Sequence, residues 1–332
     1  MAITGNASYI TTINEFLAHW QQCAEAYAPK VLLVRVPDNS TVSLAQFTGQ
    51  RDLLLAQQIT VQARLNGQIV ARGGIELQKT ELLAKFHLFT SLLDGSYQNT
   101  DFYAARPLAP SLGFGQENFS RPLFDAMTLW ETINGGPAPA GVTLPLALAD
   151  GTSQGAFASA VSALQFAYAA EQRKEQDLTL ARSTRNRLQE RAYAVLKFYR
   201  ETVPGKLAQF PDLVGTMPRL TPLPGHTPAA VNASAVFEAP DLSRVGYDAS
   251  PDAMLQGYEL RGNVGDDYSD EDAIVIATNG PGVAREFVTP FGLNQPGARV
   301  ALKVYVILTT GNEAGSAALF VTRPANVQPL AA

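Results

Sequence analysis

The sequence predicts an α+β fold in the multidomain sense, with a mainly helical domain followed by an all-β domain. Apolar residues recur with a period of about 3.6 residues up to residue 210, and with a period of about two residues from residue 229 onwards. Prolines are concentrated between these two patterns. The chain has 332 residues, 46% of them hydrophobic, which is enough to build two separate cores.

The first predicted element is an amphipathic helix over residues 9–27. Thr11 or Thr12 can cap its start, and Pro29 lies beyond its end. A short β-prone segment, KVLLVRVP, follows the helix. The helix has an apolar face, which is formed by Ile13, Phe16, Leu17, Trp20 and Ala24.

A second helical pattern covers residues 43–94 and contains one interruption, NGQIVARGG. Gly67, Gly73 and Gly74 each cost about 1 kcal/mol in a helix interior, so they either divide the pattern into two helices or let another backbone pack closely. The pair Asn66–Gly67 also leaves a β-hairpin open as an alternative. The strongly helical flanks favour a helix.

Residues 95–155 are predicted to form a long irregular insert in the helical domain. The insert begins with a polar and aromatic connection, contains a short helix that starts at Pro122, and ends in a segment rich in proline and glycine. A connection of this length is usually functional or held in an interface. Its aromatic residues are therefore interface candidates: Tyr97, Phe102, Tyr103, Phe114 and Phe119.

The clearest helical pattern extends from residue 155 to residue 203. Apolar residues recur there at spacings of three and four, and no proline or glycine interrupts them after Gly155. The pattern predicts one long helix or a hairpin of two helices. A helix longer than about 25 residues suggests packing between subunits.

A proline-rich tether, residues 211–228, is predicted to separate the helical domain, residues 1–210, from a β-sandwich over residues 229–326. Short alternating segments separated by turn residues are typical of such sandwiches. The seven segments are AVNASAVFEA, SRVGYDA, QGYELRG, AIVIATN, REFVTPF, VALKVYVILTT and AALFVTRP.

The segment VGYDASPDAMLQGYELRG resembles strands B and C of a fibronectin type III domain, and LNQPGARVALKVYVILTTGNEAGSAALFV is similar to that family's E–F loop and strands F and G. The sequence departs from the family at Tyr247, where the family usually has Trp, and at Val300, where it has the Tyr of its tyrosine corner. The resemblance covers about residues 226–325 and implies an immunoglobulin-like sandwich that works as a spacer, adhesion or interaction module. The order of the domains resembles that of uncharacterised bacterial proteins with a C-terminal fibronectin type III domain.

Composition and motifs argue against catalysis, nucleic-acid binding and metal binding. A net charge of −5 without a basic tail does not suit a phosphate backbone. Cys23 is the only cysteine, which excludes an intramolecular disulfide and a zinc site built from thiolates. His19, His87 and His226 lie outside any ligand motif, and neither a Gly-x-Ser-x-Gly elbow nor a phosphate-binding loop occurs. We predict no enzyme, no cofactor and no metal site.

Two charge clusters of opposite sign predict a contact. Residues 171–206 carry nine Lys or Arg and five Asp or Glu, an excess of four positive charges. The segment GDDYSDEDA is strongly acidic, and a solvated loop that protects a sheet edge is the simpler interpretation of it. The sharper hypothesis is that the arginines of one subunit meet the acidic loop of a neighbouring subunit. The candidates are Arg182, Arg185, Arg187 and Arg191, with Asp266, Asp267, Asp270 and Asp272.

The predicted function is a non-enzymatic structural or scaffold protein, which self-associates through its long helices into a homo-oligomer or filament and displays the sandwich outward. One alternative is an adhesion module whose aromatic connection and sandwich loops bind a glycan or a protein. A second alternative is an enzyme whose site is assembled from residues distant in sequence.

The N-terminal segment has no basic region followed by a continuous apolar stretch, so it does not resemble a signal peptide. No stretch reaches the roughly 20 apolar residues that a membrane span needs. The predicted location is therefore cytoplasmic, or exported without a recognisable signal peptide.

Overall fold

The structure is a computed structural model that describes residues 2–37 and 40–325. The predicted end of the sandwich, residue 326, lies outside the described residues. Helices dominate the first two thirds of the chain: α1 Ser8–Tyr27, α2 Leu44–Ser96, α3 Asp101–Ala104, α4 Gln116–Gly135, α5 Gln154–Lys206 and α6 Pro211–Gly215. Two short strands, β1 Val34–Arg35 and β2 Thr41–Val42, pair between α1 and α2.

The C-terminal strands follow the segments expected from the sequence. They are β3 Ala233–Glu238, β4 Leu242–Tyr247, β5 Leu255–Val264, β6 Ile274–Asn279, β7 Glu286–Thr289, β8 Arg299–Leu308, β9 Glu313–Gly315 and β10 Leu319–Thr322. The predicted change from helices to β structure is therefore confirmed. β9, which pairs with β8, was not among the seven predicted segments.

The chain divides into two compact units. The first contains Met1–Asn66 and Leu178–Ala332, and the second contains Gly67–Asp177. The first unit thus includes the beginning of α2, the end of α5, the predicted tether and the β strands. The predicted domain limits at residues 210 and 229 stay predictions.

Both long helical patterns form single helices. α2 continues through Gly67, Gly73 and Gly74, so the β-hairpin alternative and the division into two helices are wrong. A Cβ added at Gly73 or Gly74 would meet no described atom within 4 Å, so neither glycine serves close packing within the chain. α5 is likewise one helix, with Pro204 in its last turn.

The helical core of the first unit lies between α1, α2 and α5. The ring of Trp20 lies 4.8 Å from that of Tyr199 and 5.8 Å from that of Phe47, measured between centroids. Trp20 also donates its indole N–H to the carbonyl of Leu32 at 3.3 Å. The predicted apolar face of α1 is therefore the face that packs into this core.

The second unit has its own core between the C-terminal part of α2, α4 and the N-terminal part of α5. Phe89 stacks on Trp130 with ring centroids 5.0 Å apart, and Phe157 packs against the same tryptophan. Trp130 donates its indole N–H to the carbonyl of Leu146. The chain between α4 and α5 therefore closes over this core.

The C-terminal strands form two antiparallel sheets. The larger has five strands in the order β10-β8-β5-β6, with β9 beside β8, and the smaller has three strands in the order β3-β4-β7. Both sheets contribute to one buried core, to which Val245 and Phe287 come from the smaller sheet and Leu260 and Val304 from the larger. The alternating pattern of the sequence thus places one face of each sheet inside.

The two departures from the fibronectin type III pattern lie in this core. Tyr247 stacks on Phe287, with centroids 5.1 Å apart, and its hydroxyl accepts a hydrogen bond from Asn279. Val300 packs against Gly292, which has a φ of +67° that favours glycine. Both residues therefore fill space in the core.

Candidate functional site

Two of the predicted interface arginines bind the acidic loop of their own chain. Arg182 donates two hydrogen bonds to the carboxylate of Asp272, and its Nε lies 3.0 Å from Oδ1. Arg185 donates to the carbonyl of Glu271 at 2.8 Å and lies 3.4 Å from Asp272 Oδ1. Arg185 and Asp272 are each only 2% exposed. We call these four residues the arginine junction.

Neighbouring polar groups complete the arginine junction within the first unit. Gln62 of α2 donates to the carbonyl of Asp272, and its own carbonyl accepts the N–H of Val264 at 3.2 Å. Asn6 donates to the carbonyl of Glu271 at 3.0 Å. The hydrogen bond to Asp272 raises the pKa of Arg182. Charge-assisted hydrogen bonds of this kind hold the ionised side chains of the junction in place.

The other charged candidates lie elsewhere. Asp266 pairs with Arg299 at 2.8 Å, and Asp270 accepts the hydroxyl hydrogen of Tyr305 at 2.5 Å. The side chains of Asp267, Arg187 and Arg191 are exposed and form no hydrogen bond or ion pair with any described residue. The structure therefore brings Arg182, Arg185 and Asp272 together, and it does so within one chain. A contact between subunits through the remaining residues stays a prediction.

A second ionic cluster, which sequence reasoning missed, is buried on the larger sheet. Arg261 donates through Nε to Glu259 at 2.8 Å, and through its two terminal nitrogens to Glu313 at 2.8 and 2.6 Å. Its guanidinium also lies 4.1 Å from the ring centroid of Tyr305. The signal was the spacing of Glu259 and Arg261, because residues two apart on a strand share one face.

Burial changes the acid–base behaviour of this cluster. Desolvation raises the pKa of the Glu259 carboxyl group. The positive charge of Arg261 acts in the opposite direction and lowers this pKa, and the Thr11 hydroxyl lowers it only weakly. Glu259 Oε1 accepts no hydrogen bond of ordinary geometry from a described residue. Burial and the hydrogen bond to Asp270 raise the pKa of Tyr305 to about 12. A cavity of about 280 Å³ adjoins the cluster, and in its lining Arg261 pairs with Glu313 while Asp270 accepts a hydrogen bond from Tyr305.

The buried histidine lies in a self-contained polar cluster. His19 Nε2 donates to the carbonyl of Leu213 at 2.7 Å, so its Nδ1 can accept from the Tyr199 hydroxyl at 2.7 Å. Cys23 lies 3.6 Å from Nδ1, and burial raises the pKa of its thiol. This environment disfavours a nucleophilic thiolate. Within residues 2–37 and 40–325, no three His, Cys, Asp or Glu side chains are arranged to hold a metal ion.

The predicted aromatic candidates divide into core and surface residues. Tyr97 and Phe119 are at most 1% exposed and belong to the core of the second unit, so they cannot contact a partner. Phe102 packs against that core, and Tyr103 is half-buried against the guanidinium of Arg106. Phe114 is exposed.

The most distinctive exposed surface lies on α2. Leu55, Ile59, Val70 and Leu77 are 41%, 58%, 62% and 62% exposed. Together with the exposed Ala63, Asn66 and Gly74 they form a regular series, 55-59-63-66-70-74-77, whose spacings of four, four and three keep them on one helix face. We call this series the α2 stripe. It contains no charged residue.

Comparisons with known proteins bear only on the C-terminal part of the chain. No family model matches the sequence, and no curated protein matches it. A fibronectin type III-like protein from Clostridium thermocellum is 19% identical over 31% of this chain and all of that chain, with a TM-score of 0.23.

Two further solved structures show the same partial coverage. The fn3 domain of human contactin 1 is 14% identical over 33% of this chain and 86% of that chain, with a TM-score of 0.25. The pectate lyase PelI from Erwinia chrysanthemi is 15% identical over 28% of each chain, with a TM-score of 0.24. These scores carry no argument about function. Among the described helices, none combines the length and apolar character needed to cross a bilayer.

Proposed function

We propose that this protein is a structural scaffold that self-associates through α2, and that its C-terminal strands form a fibronectin type III-like module displayed by the assembly. The α2 stripe is the observation that carries the proposal. Isolated exposed apolar residues are common on protein surfaces, whereas an extended and largely apolar face such as this one usually marks an interaction site. The occupant we infer is the same stripe of a second copy.

The composition of the α2 stripe suits pairing with itself. In an antiparallel pair centred on Asn66, Ile59 of one copy lies opposite Gly73 and Gly74 of the other. Val70 then lies opposite Ala63, so large side chains face small ones on both sides of Asn66, and Leu55 meets Leu77 at each end. The open space at both glycines is available for such close packing. An isologous contact of this kind closes into a dimer.

The spacing of the stripe supports this geometry. Its positions repeat after 11 residues, and a repeat of about 11 residues keeps two helices in contact with a slight right-handed supercoil. The stripe lacks charges that would have to be desolvated at such a contact, and charged residues are depleted from the centres of interfaces.

Light scattering over a concentration series tests the proposal. We expect a mass of twice 35.6 kDa for the native chain and a shift towards 35.6 kDa for Ile59→Lys. A buried isoleucine contributes about 1.5–3 kcal/mol and occurs twice in a symmetric contact, so the Kd should rise about 100-fold or more. Leu53→Lys is the matched control, because Leu53 is 61% exposed on the same helix but lies outside the stripe.

Single cysteines test the direction of pairing. Asn66→Cys should form an intermolecular disulfide under mild oxidation, because this residue meets its own copy in an antiparallel pair. Leu77→Cys should not, since it faces Leu55. Native Cys23 is buried and does not interfere. Equal crosslinking of both variants would indicate a parallel contact, and a native chain that stays monomeric at all concentrations would refute self-association.

A further inference from the structure

The second unit contains a cleft that the scaffold function does not use. It lies between α4 and α5, has a volume of about 510 Å³, and is lined by Gln116, Glu117, Ser120, Arg121, Phe124 and Gln165. Cleft volumes of roughly 300–1,000 Å³ are usual for small-molecule sites. The volume and the mixed polar and aromatic lining therefore suit a small-molecule ligand.

The floor of the cleft is an ordered relay of hydrogen bonds. Gln116 Nε2 donates to Gln165 Oε1 at 2.9 Å, and Gln165 Nε2 donates to the Ser120 hydroxyl at 2.7 Å. Ser120 is 4% exposed, which fixes the inner end of the relay. The outer end keeps the carbonyl oxygen of Gln116 and one of its N–H groups for a ligand.

The rim of the cleft carries charged side chains that form no hydrogen bond with other described side chains or backbone groups. Glu117 and Arg121 are exposed and make no side-chain hydrogen bond or ion pair with any described residue, although they lie four positions apart on α4. Beside them, the ring of Phe124 is 46% exposed. One carboxylate and one guanidinium give this rim a formal charge of zero.

A buried lysine holds the segment that precedes α4 in place beside the cleft. Lys79 of α2 is 3% exposed and donates to the carbonyls of Leu112 and Phe114. Its ammonium group also pairs with Glu76 at 3.0 Å and lies 5.2 Å from the ring centroid of Phe119. These contacts fix the segment that ends where Gln116 and Glu117 begin α4, so the polar rim is set before a ligand arrives.

We propose that this cleft binds a neutral carbohydrate. A pyranose has one face of C–H groups, which can pack on the Phe124 ring, and an edge of hydroxyl groups that both donate and accept. Glu117 can accept two neighbouring hydroxyls, Arg121 can donate to two, and the amide of Gln116 can do both. A cleft with zero formal charge has no reason to prefer an anionic or a cationic ligand.

Saturation-transfer difference NMR on the full chain tests the proposal, with D-glucose, D-galactose, D-mannose and N-acetyl-D-glucosamine as separate probes. We expect transfer to at least one sugar, strongest at the C–H groups that contact the ring. Phe124→Ala should weaken that binding at least about tenfold, as expected for losing an aromatic contact of about 1.4 kcal/mol. D-galacturonate should bind no more tightly than D-galactose, because the formal charge of the cleft is zero.

Phe166→Ala is the matched control. Phe166 is a 75% exposed phenylalanine on α5 that adjoins Gln165 in sequence and does not line the cleft, so its removal should leave sugar binding unchanged. Glu117→Ala is a second test variant that cannot disturb the core, and it should also reduce binding. Absence of transfer from all four neutral sugars, transfer that survives Phe124→Ala, or preference for D-galacturonate would each overturn the proposal.

Discussion

The two long helices differ in whether the rest of the chain covers their surface residues. On α5, the buried Arg185 and its neighbour Arg182 bind the acidic loop of the same chain. On α2, the apolar stripe from Leu55 to Leu77 stays exposed. A single loop of the same chain can pair with the charges on a helix, whereas an extended and largely apolar face needs a second large surface to cover it. The α2 stripe, which contains no charged residue, is therefore the better candidate for an assembly contact.

The largest expected effect is at the arginine junction. Asp272→Ala leaves Arg185 buried with only the exposed Glu271 as an acidic partner, and removing one partner of a buried ion pair costs about 3–5 kcal/mol. Urea unfolding of the first unit measures this, followed by Trp20 fluorescence in a Trp130→Phe background. Asp267→Ala, at an exposed side chain of the same loop, should change the unfolding free energy by less than about 0.5 kcal/mol. Equal effects of the two variants would refute the role of the junction.

The buried cluster around Arg261 should give the first unit a pH-dependent stability. The pKa of Glu259 is higher in the folded chain than its unfolded value of about 4.3, so the folded state binds more protons between those two pKa values. The contribution of this group to stability is therefore greatest at low pH and falls as the pH rises towards the folded pKa. Glu259→Gln should remove that slope from a series of urea titrations. A variant with an unchanged slope would contradict this assignment.

A smaller effect is expected at Gly73, which adjoins Gly74 of the α2 stripe. In the Ile59→Lys background, Gly73→Ala should stabilise the second unit by about 1 kcal/mol, because glycine is costly in a helix interior and the new methyl group meets no described atom. Trp130 fluorescence during urea unfolding reports this unit. A loss of stability would mean that another backbone packs there even in the monomer.

The smallest effect separates association from folding. Ile59→Lys should change the unfolding free energy of the monomer by less than about 0.5 kcal/mol, because its side chain is already 58% exposed. Urea unfolding at a concentration where the native chain is also monomeric measures this. A large loss of stability would show that Ile59 supports the fold of its own chain.

Much of the secondary structure was predictable because it depends on local period. The apolar spacing from residue 155 onwards correctly indicated a long helix, and the alternation after residue 229 correctly indicated strands. The glycines of α2 were harder to interpret, since propensity alone cannot distinguish a helix that continues from one that breaks. Neighbouring helix-forming residues outweighed a cost of about 1 kcal/mol for each glycine.

The candidate surfaces were less predictable because they depend on which side chains the fold buries. The opposite charges of α5 and the acidic loop led to the hypothesis of a contact between subunits, whereas Arg182 and Arg185 contact Asp272 of their own chain. The sequence alone does not show whether two segments about 90 residues apart meet within one chain or between two chains. Tyr97 and Phe119 were indistinguishable in sequence from exposed aromatics such as Phe114. The α2 stripe was not identified from the sequence, because its 11-residue spacing becomes meaningful only once burial shows which helix face is exposed.

The proline-rich segment after α6 forms hydrogen bonds with the rest of the first unit at several points along its length. The carbonyl of Leu220 accepts a hydrogen bond from the N–H of Ile3. The N–H of Leu223 donates to the carbonyl of Thr310, and the carbonyl of Leu223 accepts from the side-chain amide of Asn312. The arginine junction adds an independent connection between the strands and the helices of the first unit. A protease that cuts between these points would therefore yield a nicked protein whose two fragments remain associated and elute together, separating only when denaturant is added.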